Sequence, residues 1–526
     1  MGAYEEDDYR DGKPEMVTFF GGYFYINMSC VRIQAVRNPA ITVDQLDLAF
    51  FGDRPDTPPY EPHPKDEKPH LQEKIDAHMQ FVLSTSYWPE LEEEKERAAQ
   101  IRSDRPDLAS LTDDELVAYL RKLHPYIRDF TTNQMVAATS SGIPPGMLGA
   151  VAEAIGDSTM PMRVLAGLGD VDSAAPSFAL WEMSRAIRDD EELSGLFDDG
   201  IDGMLDRLES LDSSNAQKFR DAFHEFLYEY GSRGPNEWEL SAQTWETDPS
   251  IPLRTLDQVR KQPDAKNPQY GADSASEERQ HVIEEVRTKL AELGNEELVG
   301  VFEGALVGAN QMVFRERAKT SLVRVLHESR MAIRELGKRH ADSGTVSDPE
   351  HIFMLLDEEL DSFVADPSSY SALLYDRYEN WLKLWHLTPP FFLRDGIIPP
   401  LTEWETSKPI VESSLAEGAV LTGTAGCPGV VSGRARIVRD PTAPPDLEPG
   451  DIMVAPLTDP AWTPLFLAVD GVVVNVGGQV SHAVIVSREM GIPCVVSVPD
   501  ATERIQDGAT ITVDGTNGNV TIIRNP

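Results

Sequence analysis

The chain is 526 residues long, enough for roughly three domains and a sizeable core. Its 41% apolar content suits a soluble globular protein, while 88 Asp and Glu against 47 Lys and Arg leave a net charge of −41. A surface of that sign releases no counterions from a polyanion, which argues against a nucleic-acid partner, and it weighs against free ATP being held by this chain alone.

The opening MGAYEEDDYRDGKPE is acidic, lacks the apolar run of a signal peptide, and has Glu6 where myristoylation needs Ser or Thr. Residues 17–52 mix aromatic and β-branched residues with a later helical pattern. The polar, proline-rich DRPDTPPYEPHPKDEKP then reads as an extended connector, so residues 1–75 are expected to form an N-terminal segment. From 76 to 395 the periodicity is helical. LTDDELVAYLRKLHPYIRDF opens on a Thr112 to Glu115 capping signal, and NAQKFRDAFHEFLYEYG stops at Gly231. SEERQHVIEEVRTKLAEL and KTSLVRVLHESRMAIRELGKRH repeat apolar residues at three-and-four spacing. A second linker is expected over 396–420, around RDGIIPPLTEWETSKP.

Beyond it VVSGRARIV, DIMVAP, GVVVNV and CVVSV read as strands, and ATITVDGTNGNVTII as a hairpin turning near Asn517–Gly518. One helix, SHAVIVSREM, interrupts them and closes at Gly491. The expected fold class is multidomain α+β, a large mainly α-helical domain followed by a compact β-rich domain over 421–526. Cys30, Cys427 and Cys494 lie far apart with no CxxC pair, which suits a reducing interior better than a disulfide framework or a zinc site. No run approaches the roughly 20 apolar residues of a membrane span, and the protein is expected to be cytoplasmic.

Of the 11 histidines, ten lie at or before residue 386, and His482 alone falls in the β-rich region. It stands in VVVNVGGQVSHAVIVSREMGIPCVV, with Ser481 at an N-cap position and Gly477–Gly478 allowing a tight turn. In a first helical turn the positive end of the helix keeps imidazole neutral and nucleophilic near pH 7, and the same end offers N–H groups to an anion. That pairing suits a ring nitrogen that accepts a phosphoryl group and holds it. The alternative is a histidine that only fills space. Ser481 as a hydrolytic nucleophile is excluded by the lack of a GxSxG elbow.

The string CPGVVSGRARIV, Thr458-Asp459-Pro460, the Gly-Gly…Ser-His core, Arg488-Glu489 and GIPCVV resembles the mobile phosphohistidine domain of PEP-utilising enzymes. That family includes PEP synthase, pyruvate phosphate dikinase and rifampicin phosphotransferase. GGYFYINMS, YGSRGPNEWELSAQTWETDPS and FRERAKTSLVRVLHESRMAIRELGKRH resemble, more weakly, the helical part of rifampicin-phosphotransferase-like proteins. The resemblance implies that 421–526 form a compact β/β/α swivelling domain, that 76–395 bind an acceptor, and that His482 is the phosphorylated carrier, with Ser481, Gly478 and Arg488 beside it. For the shuttle to work, the ring must be reachable from water.

Neither an ATP-grasp domain nor a GxxxxGK[ST] phosphate loop is found in the sequence. The expectation is therefore a two-component enzyme of the phenylphosphate synthase kind: a heteromeric, ATP-dependent, dikinase-type phosphotransferase. A separate ATP-grasp subunit, carrying the Mg2+ and ATP, would load His482, and this chain would phosphorylate a small hydroxyl acceptor, expected to be phenolic. No cofactor is expected to bind this chain tightly, and no ligand spacing specifies a metal. The competing reading is a non-enzymatic phosphocarrier or regulatory module that docks another protein.

Transfer to a hydroxyl needs cations around the moving phosphoryl and a base near the acceptor oxygen. Arg233, in a glycine-rich loop just after a helix, is the first candidate for a phosphate clamp; the alternative is an arginine in an ordinary turn. Glu237 and Glu239 follow as candidate bases or metal ligands. Arg315, Arg317, Lys319, Arg330 and Arg334 form the densest basic cluster, either a phosphate-binding patch or a set of ion-paired side chains.

Overall fold

The computed structural model describes the chain except residues 1, 10, 12–15, 39–41, 52–55, 395–396, 407–414 and 479–480. Much of the expected 396–420 linker therefore lies outside the described residues. The architecture is multidomain α+β, with a large helical N-terminal region followed by a mixed sheet. No helix among the described residues is long and apolar enough to cross a membrane.

The chain divides into two compact units that cut across the domains drawn from sequence. One comprises residues 1–84, 105–125 and 328–411; the other comprises 85–104, 126–327 and 412–526. In the first unit, β1 (Val17–Phe20) and β2 (Tyr23–Ile26) form an antiparallel hairpin. Its inward face carries Tyr23, whose hydroxyl donates to the Leu387 carbonyl at 2.9 Å and whose ring meets Trp404. A short ladder joins β3 (Leu387–Thr388) to β4 (Glu405–Thr406). Leu116, Leu336, Phe363 and Leu374 lie in this unit's core. The Thr112 capping box is present: the Thr112 N–H donates to Glu115 at 2.8 Å, and the Glu115 N–H donates back at 3.3 Å.

The second unit holds the helical body and the C-terminal sheet. Helix Ser214–Tyr230 buries Phe219, Phe223 and Phe226 at three-and-four spacing. Helix Pro268–Leu293 begins at a proline capped by Asn267, several residues before the periodic stretch that announced it. The sheet contains β5 (Val420–Thr422), β6 (Thr424–Cys427), β7 (Val430–Ile437), β8 (Asp451–Ala455), β9 (Gly471–Val474), β10 (Cys494–Val496), β11 (Thr510–Asp514) and β12 (Asn519–Arg524). Their order is β5-β12-β11-β7-β8-β9-β10-β6, parallel from β7 through β10 and antiparallel elsewhere.

Strand alternation decides what faces what. Met453, Ala455, Val472 and Val474 point to one side, where they meet Phe466, Val484, Val486 and Met490, together with Trp181 and Val259 of the helical body. Ile452, Val454 and Val473 point to the other side, against Ala501, Ile511, Val513 and Val520. The histidine helix, His482–Met490, is thus buried between the sheet and the helical body, and it ends at Gly491 with φ +68°.

Candidate active site at the histidine helix

His482 begins its helix, as the sequence anticipates, but the local devices differ from those expected. Ser481 has N-cap backbone geometry, φ −70° and ψ 158°, yet its hydroxyl makes no capping bond and, among the described residues, finds no hydrogen-bond partner. Gly477 does not adopt positive φ. A side chain there would be crowded: a Cβ would lie 3.0 Å from the Ser481 hydroxyl and 3.1 Å from the Val496 Cβ. The Gly478 carbonyl accepts from the Ser481 N–H at 2.9 Å, closing the turn into the helix.

Two threonines hold the imidazole. The Thr458 hydroxyl lies 3.1 Å from Nδ1 and the Thr463 hydroxyl 2.9 Å from Nε2, and the Phe466 ring meets the imidazole edge-on. In a neutral ring one nitrogen donates and the other accepts, and a hydroxyl can serve either. Burial, then the positive charges of Lys319, Arg233 and Arg315, hold the ring's pKa well below its ordinary value. The imidazole is therefore neutral at pH 7 with a lone pair to offer. The helix end was the reason inferred from sequence; desolvation and three cations supply it here.

The ring is only 8% exposed. The requirement that it be open to water is not met in this arrangement, because the face carrying it is docked on the helical body. Exchange with a distant donor requires that face to come away.

The charges that reach the histidine belong to Lys319, Arg233 and Arg315, and two of these cations meet Glu237. Arg233 and Glu237 are both buried, and the guanidinium Nη1 lies 3.2 and 3.3 Å from the two carboxylate oxygens. Arg233 Nη2 donates to the Thr320 hydroxyl at 2.6 Å, and Lys319 Nζ sits 3.1 Å from Glu237. Despite its burial, Glu237 is held below the ordinary carboxylate range by these two cations. Asp459 completes the group. Its carboxylate accepts from the Ala461 N–H at 2.9 Å and from the Asn236 N–H, in the Arg233–Glu237 loop, at 2.9 Å. Burial of that carboxyl, and the nearby Glu237 charge, push it up to about 6.

The remaining candidates lie elsewhere. Glu239 is exposed and accepts from Ser241. Arg317 is ringed by Glu92, Asp170 and Asp172. Arg330 is buried in the other compact unit, where Arg334 pairs with Glu350 at 2.9 Å. Arg315 acts on His482 through its charge. Arg488 is not among the cations acting on the ring: its Nε donates to the Gly426 carbonyl at 2.9 Å, beside Cys427 and Cys494. Sequence reading passed over Thr458, Thr463 and Asp459 as site residues, although Thr458-Asp459-Pro460 had been noted as a motif. Among the described residues no group of three or more His, Cys, Asp or Glu side chains could hold a metal ion.

Two family models match. Residues 129–316 match the rifampicin phosphotransferase fourth domain, and residues 447–518 match the mobile domain of PEP-utilising enzymes. In these two stretches the chain is similar to PEP-utilising enzymes. Arg233 and Glu237 lie in the fourth-domain match, and Thr458, Asp459, Thr463 and His482 in the mobile-domain match. An uncharacterized protein of Mycobacterium tuberculosis is 32% identical over 321 residues, covering 60% of this chain and 33% of that protein. Rifampicin phosphotransferase of Streptomyces sviceus is 32% identical over 340 residues, 63% of this chain and 37% of the enzyme. Its counterpart in Bacillus subtilis is 29% identical over 326 residues, 61% and 36% respectively. The chain spans about a third of the length of these curated relatives.

Proposed function

We propose that the chain is the carrier and acceptor part of an ATP-dependent, dikinase-type phosphotransferase. The observation that supports this most is that the histidine at the head of its helix lies within reach of the charges of Lys319, Arg233 and Arg315 of the helical body, two of which hold Glu237. In the first half-reaction a neutral ring nitrogen attacks the β-phosphorus of ATP, the P–N bond forming as the bond to the AMP oxygen breaks; water then attacks the γ-phosphorus, inorganic phosphate leaves, and one phosphoryl group stays on the ring. In the second, an acceptor hydroxyl attacks, its new P–O bond replacing P–N.

Arg233 and Lys319, with Arg315, would meet the charge on the moving phosphoryl oxygens. Of the two carboxylates, Asp459 is the better proton acceptor, because Glu237 is committed to two cations whereas Asp459 titrates near 6. Phosphorylation of either ring nitrogen displaces one threonine hydroxyl, so Thr458 and Thr463 hold the empty carrier in place.

The finer reading is that a separate ATP-grasp subunit bearing Mg2+ and ATP loads His482, and that the acceptor is a small, phenolic hydroxyl compound in the cytoplasm. It rests on the resemblance to phenylphosphate synthase and rifampicin phosphotransferase. The test mixes the chain with an ATP-grasp partner and ATP labelled at the β-phosphate. An acid-labile phosphoprotein that persists in His482→Ala refutes the carrier role.

The second reading, a phosphohistidine module that docks another protein, draws support from the helical body's interior. It is filled by packed clusters around Phe219 to Trp245 and Leu148 to Met312. Phosphorylated product formed from a hydroxylated compound would decide for chemistry.

A further inference from the structure

The segment 165–172, LAGLGDVD, turns repeatedly through left-handed backbone: φ is +59° at Gly167, +73° at Gly169 and +52° at Asp170. Successive turns of this kind aim neighbouring N–H groups into one concavity that binds an anion. Here the anion is a side chain of the mobile domain. Glu489 Oε1 accepts from the Leu168 N–H at 3.1 Å, and Oε2 accepts from the Gly169 N–H at 3.3 Å. The concavity is braced from behind. Arg317 binds Asp170 and Asp172, Lys95 binds Asp172 at 2.9 Å, and a Cβ at Gly167 would fall 2.5 Å from the Ala275 carbonyl carbon. Val171 packs with Ile485 of the histidine helix.

We propose that Glu489 is the positioning residue that docks the histidine domain at the acceptor station, with the backbone concavity of Leu168 and Gly169 as its socket and Arg317 as the brace. For its consequence on transfer, this rests on the carrier reading above. Other contacts across the same surface include Gln262 Nε2 donating to the Ala468 carbonyl at 3.1 Å, Lys266 meeting Asp470 at 2.6 Å, and Asp459 accepting from the Asn236 N–H at 2.9 Å. Glu489, 7% exposed, sets both of its carboxylate oxygens against backbone N–H groups of one loop. Burial raises its pKa despite the two N–H donors and the charges of Arg279 and Arg488. Its hydration is surrendered on docking and regained on release. Such a contact gives direction without a deep trap, which a domain that travels requires.

The test uses the full chain. Glu489→Gln keeps the shape and loses the charge; Glu489→Asp keeps the charge one methylene short. Hydrogen exchange is followed at 165–172, 233–239 and 482–490, with β7 and β11 as internal controls. His482 reactivity is read with phosphoramidate, from which a ring nitrogen takes phosphorus and ammonia leaves. Glu489→Gln is expected to raise exchange at all three segments and His482 labelling together, on the order of tenfold. Glu489→Asp should fall between it and the wild type, with the sheet unchanged. Faster exchange confined to 488–492, with labelling of His482 unaltered, would overturn the proposal. A histidine that reacts with phosphoramidate but never takes label from ATP through a partner would instead sink the carrier reading and leave the socket standing.

Discussion

Removing Arg233 and Glu237 together should cost no more than removing either one alone. Glu237 is fully buried, with Arg233 at 3.2 and 3.3 Å and Lys319 at 3.1 Å as its cations. Breaking a buried pair by removing one partner costs about 3–5 kcal/mol, because an uncompensated charge stays behind. Lys319 still meets Glu237 in Arg233→Met, so the lower end, about 3 kcal/mol, is expected. Glu237→Gln leaves two cations facing each other across an amide, and a similar loss of about 3 kcal/mol follows. The double variant keeps one cation hydrogen-bonded to an amide oxygen. It should lose about 3 kcal/mol rather than the sum, a coupling of about 3 kcal/mol between the sites. Urea denaturation of the four proteins measures this. Acid adds a second check: Glu237 titrates below its ordinary 4.5, so its contribution is full above pH 4.5 and is lost as pH falls further, a loss absent in Glu237→Gln. Strict additivity, or single losses under about 1 kcal/mol, would refute the buried triad.

His482 should stay neutral throughout an NMR titration from pH 8 to well below its ordinary 6.5. Because its pKa is depressed on folding, stability should fall as pH drops below 6.5, and His482→Gln should remove that dependence. Gly271→Ala, on helix Pro268–Leu293, places a Cβ 2.2 Å from the Met490 carbonyl oxygen. Overpacking of about 1–3 kcal/mol should release the histidine helix, read as faster hydrogen exchange over 482–490. Arg317→Ala strips Glu92 and Asp170 of their cation and leaves Asp172 to Lys95. It should destabilise by about 1 kcal/mol in denaturant and speed exchange at 165–172. Cys427 and Cys494, both pushed up to about 12 by burial, should resist thiol reagents until the chain unfolds, and prompt labelling in the native state would contradict their placement.

The strands, the histidine helix and the Thr112 capping box were legible because each depends on residues close in sequence. Period-two runs bounded by glycine make strands whatever surrounds them, and a Thr–x–x–Glu pair satisfies its own helix end. Other local readings lacked their neighbours. Gly477 was read from its turn alone, whereas Val496 and Ser481 also crowd any side chain placed there. Helix Pro268–Leu293 began earlier than its apolar pattern because Asn267 capped it.

By itself, the sequence determined that one histidine heads a short helix after a glycine pair, in a domain of mixed strands with a family likeness. It also named Arg233 and Glu237 from their loop. Only the tertiary structure decided which members of a five-residue basic cluster meet that histidine. Arg315, Arg317 and Lys319 fall within five residues of helix, yet Lys319 reaches Glu237 and Arg317 is taken by Glu92, Asp170 and Asp172. A cation's task depends on the carboxylates that reach it, and those arrive from elements hundreds of residues apart. The same holds for the imidazole. Its spacing makes it a helix's first residue, but its neutrality comes from burial and from charges that folding carries to it.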